Sequence, residues 1–294
     1  MKMVTNMECF IILAVFAFVF GSYIASFLNV CIWRIPREES VVWAPSHCPR
    51  CNARIHWYQN IPIISWIILR GRCANCRQPI SARYVAVELL GGVLFLFAYI
   101  QWASGYFLHI SPVFGLYQFT DIWMVPISWL VFSGLILGSF VDFDHYYLPD
   151  RVTIGGMVLG VPLSVLVPEL QREPTHLASL ISSLEGLAFG FLFMWGIGWM
   201  FSKFVKREAL GFGDVKLMGA IGAFFGPSAV LFTLMASSAI GTLATILLVA
   251  KGKARLGGFT AVPYGPFIAL GALIWMYWGP VLLDWYLSSL GLHP

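Results

Sequence analysis

A stretch of 34 residues without one charged side chain, Leu217 to Ala250, constrains this chain more than any other feature. A helix rises ~1.5 Å per residue, so one helix of that length would exceed the ~30 Å thickness of a bilayer's hydrocarbon core. The triplet Gly226-Pro227-Ser228, near its first third, is a turn signal. We therefore expect two short membrane-spanning helices joined by a tight turn.

Further apolar runs recur along the chain. Only 11% of the 294 residues are charged, whereas soluble domains carry roughly 25%. The first run is too long for a cleavable secretory signal, whose apolar core is ~7–15 residues, and we interpret it as a retained span. The additional expected spans are Cys9–Trp33, Tyr84–Ala103, Ile122–Val141, Val152–Pro168, Leu177–Ser202 and Phe259–Leu283. The chain is therefore expected to be an all-α polytopic membrane protein with about eight transmembrane helices.

Lysine and arginine collect in alternate loops. The loops 34–83, 142–151, 203–216 and 251–258 hold 8, 1, 4 and 3 of them, 16 in all, and the opposite set holds only Lys2 and Arg172. Short basic loops stay in the cytoplasm because their translocation is disfavoured. The pattern predicts an N-terminus outside and the four basic loops inside. A seven-span topology would put loop 251–258 outside, against its charge.

Two aspartates stand where apolar runs meet polar stretches. Asp142 follows the third span and Asp214 precedes the sixth, so both lie at cytoplasmic helix ends and at similar depth. An acid at such a position is costly and indicates function. Gly211 and Gly213 beside Asp214 allow another backbone to approach closely. We expect folding to bring Asp142 and Asp214 together.

The aspartates around position 142 also have a purely structural interpretation, as an alternative to a catalytic role. Asp142, Asp144 and Asp150 could simply end a helix and face water. Asp150 fits that interpretation, because an aspartate can cap the helix that follows it. Asp144 would point to a different face from Asp142, because positions i and i+2 of a helix do not share a face.

A pair of neighbouring carboxylates has a defined chemistry. The two groups cannot easily both ionise, so they share a proton and titrate as a unit. One then acts as a base on water while the other donates a proton to a scissile carbonyl oxygen. The expected activity is that of a membrane-embedded aspartic peptidase, with Asp142 and Asp214 as its catalytic pair.

Loop 34–83 contains four cysteines in two Cys-x2-Cys pairs: Cys48, Cys51, Cys73 and Cys76. Their spacing is that of a tetrahedral zinc site, and zinc with four thiolate ligands is structural because no position stays open for catalysis. Two disulfides or a redox-active pair are the alternatives, but the expected cytoplasmic side is reducing. His47 and His56 are not expected to be ligands. Cys9 and Cys31 in the first span are expected to be inert small hydrophobic residues.

The acidic motifs resemble those of the type IV prepilin leader peptidases, within the Gly-x-Gly-Asp intramembrane aspartic peptidases. The matching segments are Asp142-x5-Leu148-Pro149-Asp150, Gly211 to Leu217 and Val262 to Phe267. By resemblance, the family's catalytic pair falls on Asp142 and Asp214. The resemblance also implies prepilin or pseudopilin substrates in the bacterial inner membrane, cleaved after a glycine that ends a basic leader. The new N-terminal residue is commonly Phe.

The N-terminal part resembles the same family. The matching segments are Gly21-Ser22, Phe27 to Val30, Arg34 to Arg37, Arg83-Tyr84 and Glu88 to Leu90. Members with this domain and its cysteine pairs are typically bifunctional, and methylate the new N-terminal amine with S-adenosylmethionine. The chain has no Rossmann-type glycine fingerprint for that cofactor, so methyl transfer follows from resemblance alone. Glu88 could belong to that site or pair with a basic residue; Glu185 is expected near the outer interface, without a catalytic role.

These observations predict two domains, an N-terminal domain at 9–103 and an aspartic peptidase domain at 122–284. The expected partners are the lipid bilayer and prepilins, with no nucleic acid. Two alternatives remain open. One is a peptidase without methyl transfer. The other is a transporter with a zinc loop, whose acids would line a path across the membrane instead of gathering at one face.

Overall fold

The computed structural model of the chain describes residues 2–43, 46–108, 122–206, 210–252 and 262–291. Short 3-10 helices lie at Ile35–Arg37, Trp57–Gln59 and Pro168–Gln171, and these described ranges contain two isolated β-bridges but no strand. The α-helices within the same ranges are α1 (Lys2–Arg34), α2 (Ile64–Ile68), α3 (Ala82–Leu108), α4 (Met124–His145), α5 (Asp150–Leu166), α6 (His176–Val205), α7 (Phe212–Ala250) and α8 (Gly265–Ser289). The expected all-α class is confirmed.

Six helices in the described part of the chain are long and apolar enough to cross a membrane: α1, α3, α4, α6, α7 and α8. The helix α5 has 17 residues, at the lower limit of ~17 residues for a span. The helix α7 is interrupted at Gly226, whose φ of 80° and ψ of 178° are not helical. The turn expected at this glycine is therefore present. The expected total of eight spans additionally requires α5 and the division of α7 at Gly226, and it stays a prediction.

A polar network accommodates the break in α7. Pro227 has no N–H and cannot donate to the carbonyl oxygen of Ala223, its i−4 partner. That oxygen instead accepts hydrogen bonds from Ser164 Oγ (2.9 Å), Gln171 Nε2 (2.8 Å) and Ser183 Oγ (2.6 Å). Because a buried unpaired carbonyl is costly where no water reaches it, these side chains stabilise the interruption and hold α5 and α6 against it.

The described residues divide into two compact units. The first contains α1, α2, α3 and residues Val125–Leu137 of α4. The second contains the described residues 122–124 and the chain from Gly138 through α8. In the second unit α7 packs against α5, α6 and α8. Gly186 of α6 and Gly222 of α7 face each other so closely that a Cβ on either would collide with the other's backbone. Small residues let the two helices approach at backbone distance.

The described helices differ in detail from the expected spans. The span expected at Phe259–Leu283 corresponds to α8, which begins at Gly265. Residues 259–261 lie outside the described ranges. Asp150 is the first residue of α5, after Pro149 as its N-cap, and no side chain caps that helix end. The expectation that Asp150 caps α5 is therefore wrong. Its carboxylate instead pairs with Lys216 in the first turns of α7, an interaction between distant segments that local sequence does not reveal.

Candidate active site and cysteine cluster

Asp142 lies in the last turn of α4, in the second unit, and is 6% exposed. Its Oδ2 accepts a hydrogen bond of 2.9 Å from the backbone N–H of Gly265. Gly265 is the first residue of α8, so the carboxylate lies at the positive end of that helix. Two segments 123 residues apart thus orient one buried acid.

Asp214 is the third residue of α7 and is 9% exposed. Its carboxylate accepts a hydrogen bond from the backbone N–H of Gly211, the N-cap residue of α7. This is half of a capping box, in which the side chain at the third position returns to the N-cap N–H. The motif therefore places a second acid at a second helix N-terminus.

Asp142 and Asp214 both lie near Leu148. A Cβ on Gly213, the neighbour of Asp214, would lie 3.0 Å from Leu148 Cβ, and one on Gly265, whose N–H binds Asp142, would lie 3.2 Å from Leu148 Cδ2. The carboxyl groups of the two aspartates are close enough to interact electrostatically, and both residues belong to the second unit. Asp144, by contrast, is exposed, on a different face of α4 from Asp142. The site therefore contains two buried carboxylates, each accepting a backbone hydrogen bond at the start of a helix.

Leu148 fills the space around the two aspartates and is 6% exposed. A Cβ on Gly213 would lie 3.0 Å from Leu148 Cβ, and one on Gly138 or Gly265 would lie 3.2 Å from Leu148 Cδ2. The side chain thus packs on glycines of three helices, α4, α7 and α8. Sequence reasoning missed the contact between Leu148 and Gly213, although the Leu-Pro-Asp motif contains the first residue and the Gly-x-Gly-Asp motif the second.

Gly265 is the second element that sequence reasoning missed. A methyl group at this position would lie 2.8 Å from Asp142 Oδ2, so the helix start can approach the carboxylate only without a side chain. The hydroxyl of the preceding residue, Tyr264, forms a hydrogen bond of 2.8 Å with Ser237 Oγ of α7. The resemblance at Val262 to Phe267 was a signal for this segment, but it indicated no role for Gly265.

The four cysteines of the loop in the first unit form one cluster. Their Sγ atoms all lie within 4.8 Å of one another, and those of Cys48 and Cys76 are 3.9 Å apart. Zn–S bonds of about 2.3 Å in a tetrahedron would place sulfur atoms about 3.8 Å apart, whereas a disulfide requires about 2.05 Å. All four cysteines are free thiols, so this geometry fits a metal ion and not the alternative of disulfides.

Two similar turns hold the cysteines. An isolated bridge pairs His47 with Arg54 around the first Cys-x2-Cys, and another pairs Arg72 with Pro79 around the second. In each turn the residue after the second cysteine, Asn52 or Arg77, has a left-handed φ, 54° and 60° respectively. Its N–H donates to the carbonyl of the first cysteine. Among the described residues, the group that could hold a metal ion consists of these four cysteines, without His47 or His56.

The electrostatics of the cluster favour a cation. The backbone N–H of Ala53 and the side-chain amide of Asn75 lower the pKa of Cys51 to about 6. The Gln78 N–H also favours the Cys76 thiolate, but burial and the adjacent cysteine sulfurs outweigh it and raise the pKa of Cys76 to about 11. Four thiolates at this spacing repel each other, and a divalent cation at their centre would remove that repulsion.

Two parts of the chain each match a model of a known protein family. Residues 19–102 match the model of the bacterial peptidase A24 N-terminal domain, and residues 129–246 match that of the type IV leader peptidase family. A curated Xanthomonas campestris pv. campestris protein, "Prepilin leader peptidase/N-methyltransferase", is 30% identical over 93% of this chain and 94% of its own length. The chain belongs to the type IV leader peptidase family.

Other relatives carry the same curated name. A Myxococcus xanthus protein is 39% identical over 82% of this chain and 65% of its own length. A Pseudomonas aeruginosa protein is 28% identical over 92% of each chain. No solved structure matches the chain. This type IV leader peptidase is a multi-pass inner-membrane protein with a four-cysteine cluster that could hold a metal ion.

Proposed function

We propose that this chain cleaves the basic leader peptide from type IV prepilins or pseudopilins and then N-methylates the new N-terminal residue. The observation that supports cleavage most directly is the buried pair Asp142 and Asp214, each at a helix N-terminus of the second unit. Family membership and the relatives' names support both activities. We assign cleavage to residues 122–284 and methyl transfer to residues 9–103.

The proposed cleavage is a direct hydrolysis. One aspartate removes a proton from water, and the other donates a proton to the scissile carbonyl oxygen. The N–H of Gly265 holds the Asp142 carboxylate in one orientation, and that of Gly211 does the same for Asp214. Such positioning matters because a small displacement of a catalytic group lowers the reaction rate by a large factor. The acid pair needs neither a covalent intermediate nor the cysteine cluster.

The orientation of the chain in the membrane is also part of this proposal. Sixteen of eighteen lysines and arginines lie in the four loops expected in the cytoplasm. With those loops inside, both aspartates face the side on which a basic leader would remain, and the cysteine loop lies in a reducing compartment. Zinc bound by Cys48, Cys51, Cys73 and Cys76 would then be structural. It would stabilise a loop with little apolar core of its own.

One assay tests both activities. Purified protein is incubated with a synthetic prepilin, whose leader ends in glycine before phenylalanine, and with S-adenosylmethionine labelled in its methyl group. We expect a mass decrease equal to the leader and transfer of the label to the new N-terminus. Cleavage without label would favour a peptidase that lacks methyl transfer, and an intact prepilin would contradict the proposal.

Gly265→Ala is expected to lower leader cleavage by about 10²-fold, because its methyl group would displace the Asp142 carboxylate. The backbone N–H is retained, so the loss would come from the displacement and not from a missing donor. The measurement is kcat/KM for the synthetic prepilin. Gly196→Ala in α6 is the matched control, because no atom lies within 4 Å of a Cβ there. Equal activity of the two variants would disprove the positioning role of Gly265.

A further inference from the structure

A cavity of about 760 Å³ lies in the first unit, between α1, α3 and the loop that joins them. Small-molecule sites are typically ~300–1,000 Å³, with mostly apolar and aromatic walls and a few polar groups. Here the aromatic side chains include Tyr58 and Trp66, and the lining carries charges of both signs. The charged residues are Arg34, Arg50, Arg54, Glu39 and Glu88. All of the lining residues belong to the first unit, whereas both aspartates belong to the second.

Glu88 is the acid of this cavity and is 9% exposed. Its Oε2 accepts a hydrogen bond of 2.7 Å from the N–H of Ile63, and the carboxylate also accepts one from the hydroxyl of Ser26. Among the described residues, no lysine or arginine forms an ion pair with Glu88. A buried carboxylate without a counter-ion is costly, and it retains lone pairs for further contacts. The groups that contact Glu88, the Ile63 N–H and the Ser26 hydroxyl, are neutral, so a cationic ligand beside Glu88 would supply a charge that these contacts lack.

The backbone held by Glu88 is strained. Ile63 has φ 63° and ψ −53°, and the N–H of Ile64 bonds to the carbonyl of Pro62 at 2.6 Å. This is a γ-turn with positive φ, a rare and strained conformation that is least favourable for a β-branched residue. Such strain persists where the surrounding structure enforces it, and it clusters at functional sites. The hydrogen bond from the Ile63 N–H to Glu88 therefore connects a strained turn with a buried acid that has no counter-ion and lines the cavity.

We propose that this cavity binds S-adenosylmethionine, and that Glu88 supplies the negative charge that favours its sulfonium over the neutral thioether product. The inference rests on the proposed methyl transfer. In that reaction the substrate's ammonium group loses a proton to water. The nitrogen lone pair then forms the new N–C bond while the C–S bond breaks and its electron pair stays on sulfur. S-adenosylmethionine, the methyl donor, carries a positive sulfonium, whereas S-adenosylhomocysteine has a neutral thioether. A carboxylate without a counter-ion therefore binds the first more tightly than the second.

Equilibrium dialysis of the purified full-length protein with labelled S-adenosylmethionine, and separately with S-adenosylhomocysteine, tests the assignment. Glu88→Gln keeps an acceptor for the Ile63 N–H but removes the charge. It is expected to raise the Kd for the sulfonium ligand about tenfold and to leave that for the thioether nearly unchanged. Val30→Trp, on α1, would fill part of the cavity and weaken both ligands. Glu185→Gln, an exposed acid of α6, is the control and should change neither Kd.

The outcomes separate this inference from the proposed function. Equal effects of Glu88→Gln on the two ligands would overturn the role of its charge, and normal binding in Val30→Trp would overturn the cavity as the site. Leader cleavage by each variant checks that it is folded. Wild-type protein that cleaves prepilin but binds no S-adenosylmethionine would refute methyl transfer and this assignment together. Methylation by wild type, with normal binding in both cavity variants, would refute the assignment alone.

Discussion

Asp142→Asn and Asp214→Asn are each expected to reduce leader cleavage by about 10⁴-fold, because either change removes a proton donor or acceptor from the pair. Asparagine has the shape of aspartate, and its amide oxygen can still accept the N–H of Gly265 or of Gly211. The variants should therefore insert into the membrane and unfold at nearly the wild-type Tm. Single-turnover cleavage of a synthetic prepilin by purified protein measures the effect.

The double variant is the sharper test of a shared mechanism. Groups that act as a unit show strongly non-additive losses, so Asp142→Asn combined with Asp214→Asn should be no slower than the worse single variant. Asp144→Asn is the matched control, since this exposed aspartate lies two residues from Asp142 and should leave cleavage near wild type. Full activity of either single variant would remove the assignment of the catalytic pair.

Cys48→Ser is expected to lower the bound zinc from about one ion per chain to almost none, because a structural zinc site requires all four ligands. Structural zinc in small domains contributes ~10–16 kcal/mol of binding free energy at neutral pH, so the loop should lose its fold with the metal. Metal content by mass spectrometry and the rate of proteolysis within residues 46–81 measure the two effects. The equivalent changes at Cys51, Cys73 and Cys76 should give the same result.

The control for this series is Cys9→Ser, an exposed cysteine of α1 outside the cluster. It should retain both zinc and resistance to proteolysis. If all four cluster variants held as much zinc as wild type, the metal would bind elsewhere. If they lost zinc without faster proteolysis of the loop, its proposed structural role would be wrong.

The prediction of six long apolar helices succeeded because it depends on properties that each segment carries by itself. An apolar run must close its own backbone hydrogen bonds within the bilayer, so length and absence of charge are enough to predict a helix. The break at Gly226 could be anticipated for the same reason, since Pro227 removes a donor whatever surrounds it. The partners that satisfy Ala223 could not be anticipated, because Ser164, Gln171 and Ser183 come from other segments.

The candidate site was predictable only in part. The acids Asp142 and Asp214 stood out because carboxylates at membrane helix ends are costly. The interpretation of Asp150 as a helix cap was wrong because it considered only the neighbouring residues, whereas the carboxylate pairs with Lys216, 66 residues away. Glu88 was recognised as a membrane acid, but its contact with the strained Ile63 was not.

The sequence alone determined that this chain is a membrane protein, where its helices run, and which side chains could bind metal or transfer protons. These properties follow from local composition and spacing, which act over one helix or one turn. Only the tertiary structure decided that Gly265 donates to Asp142 and that Leu148 packs on glycines of three helices. A glycine in the sequence shows that a side chain is missing, but the group that occupies the space depends on how distant helices pack.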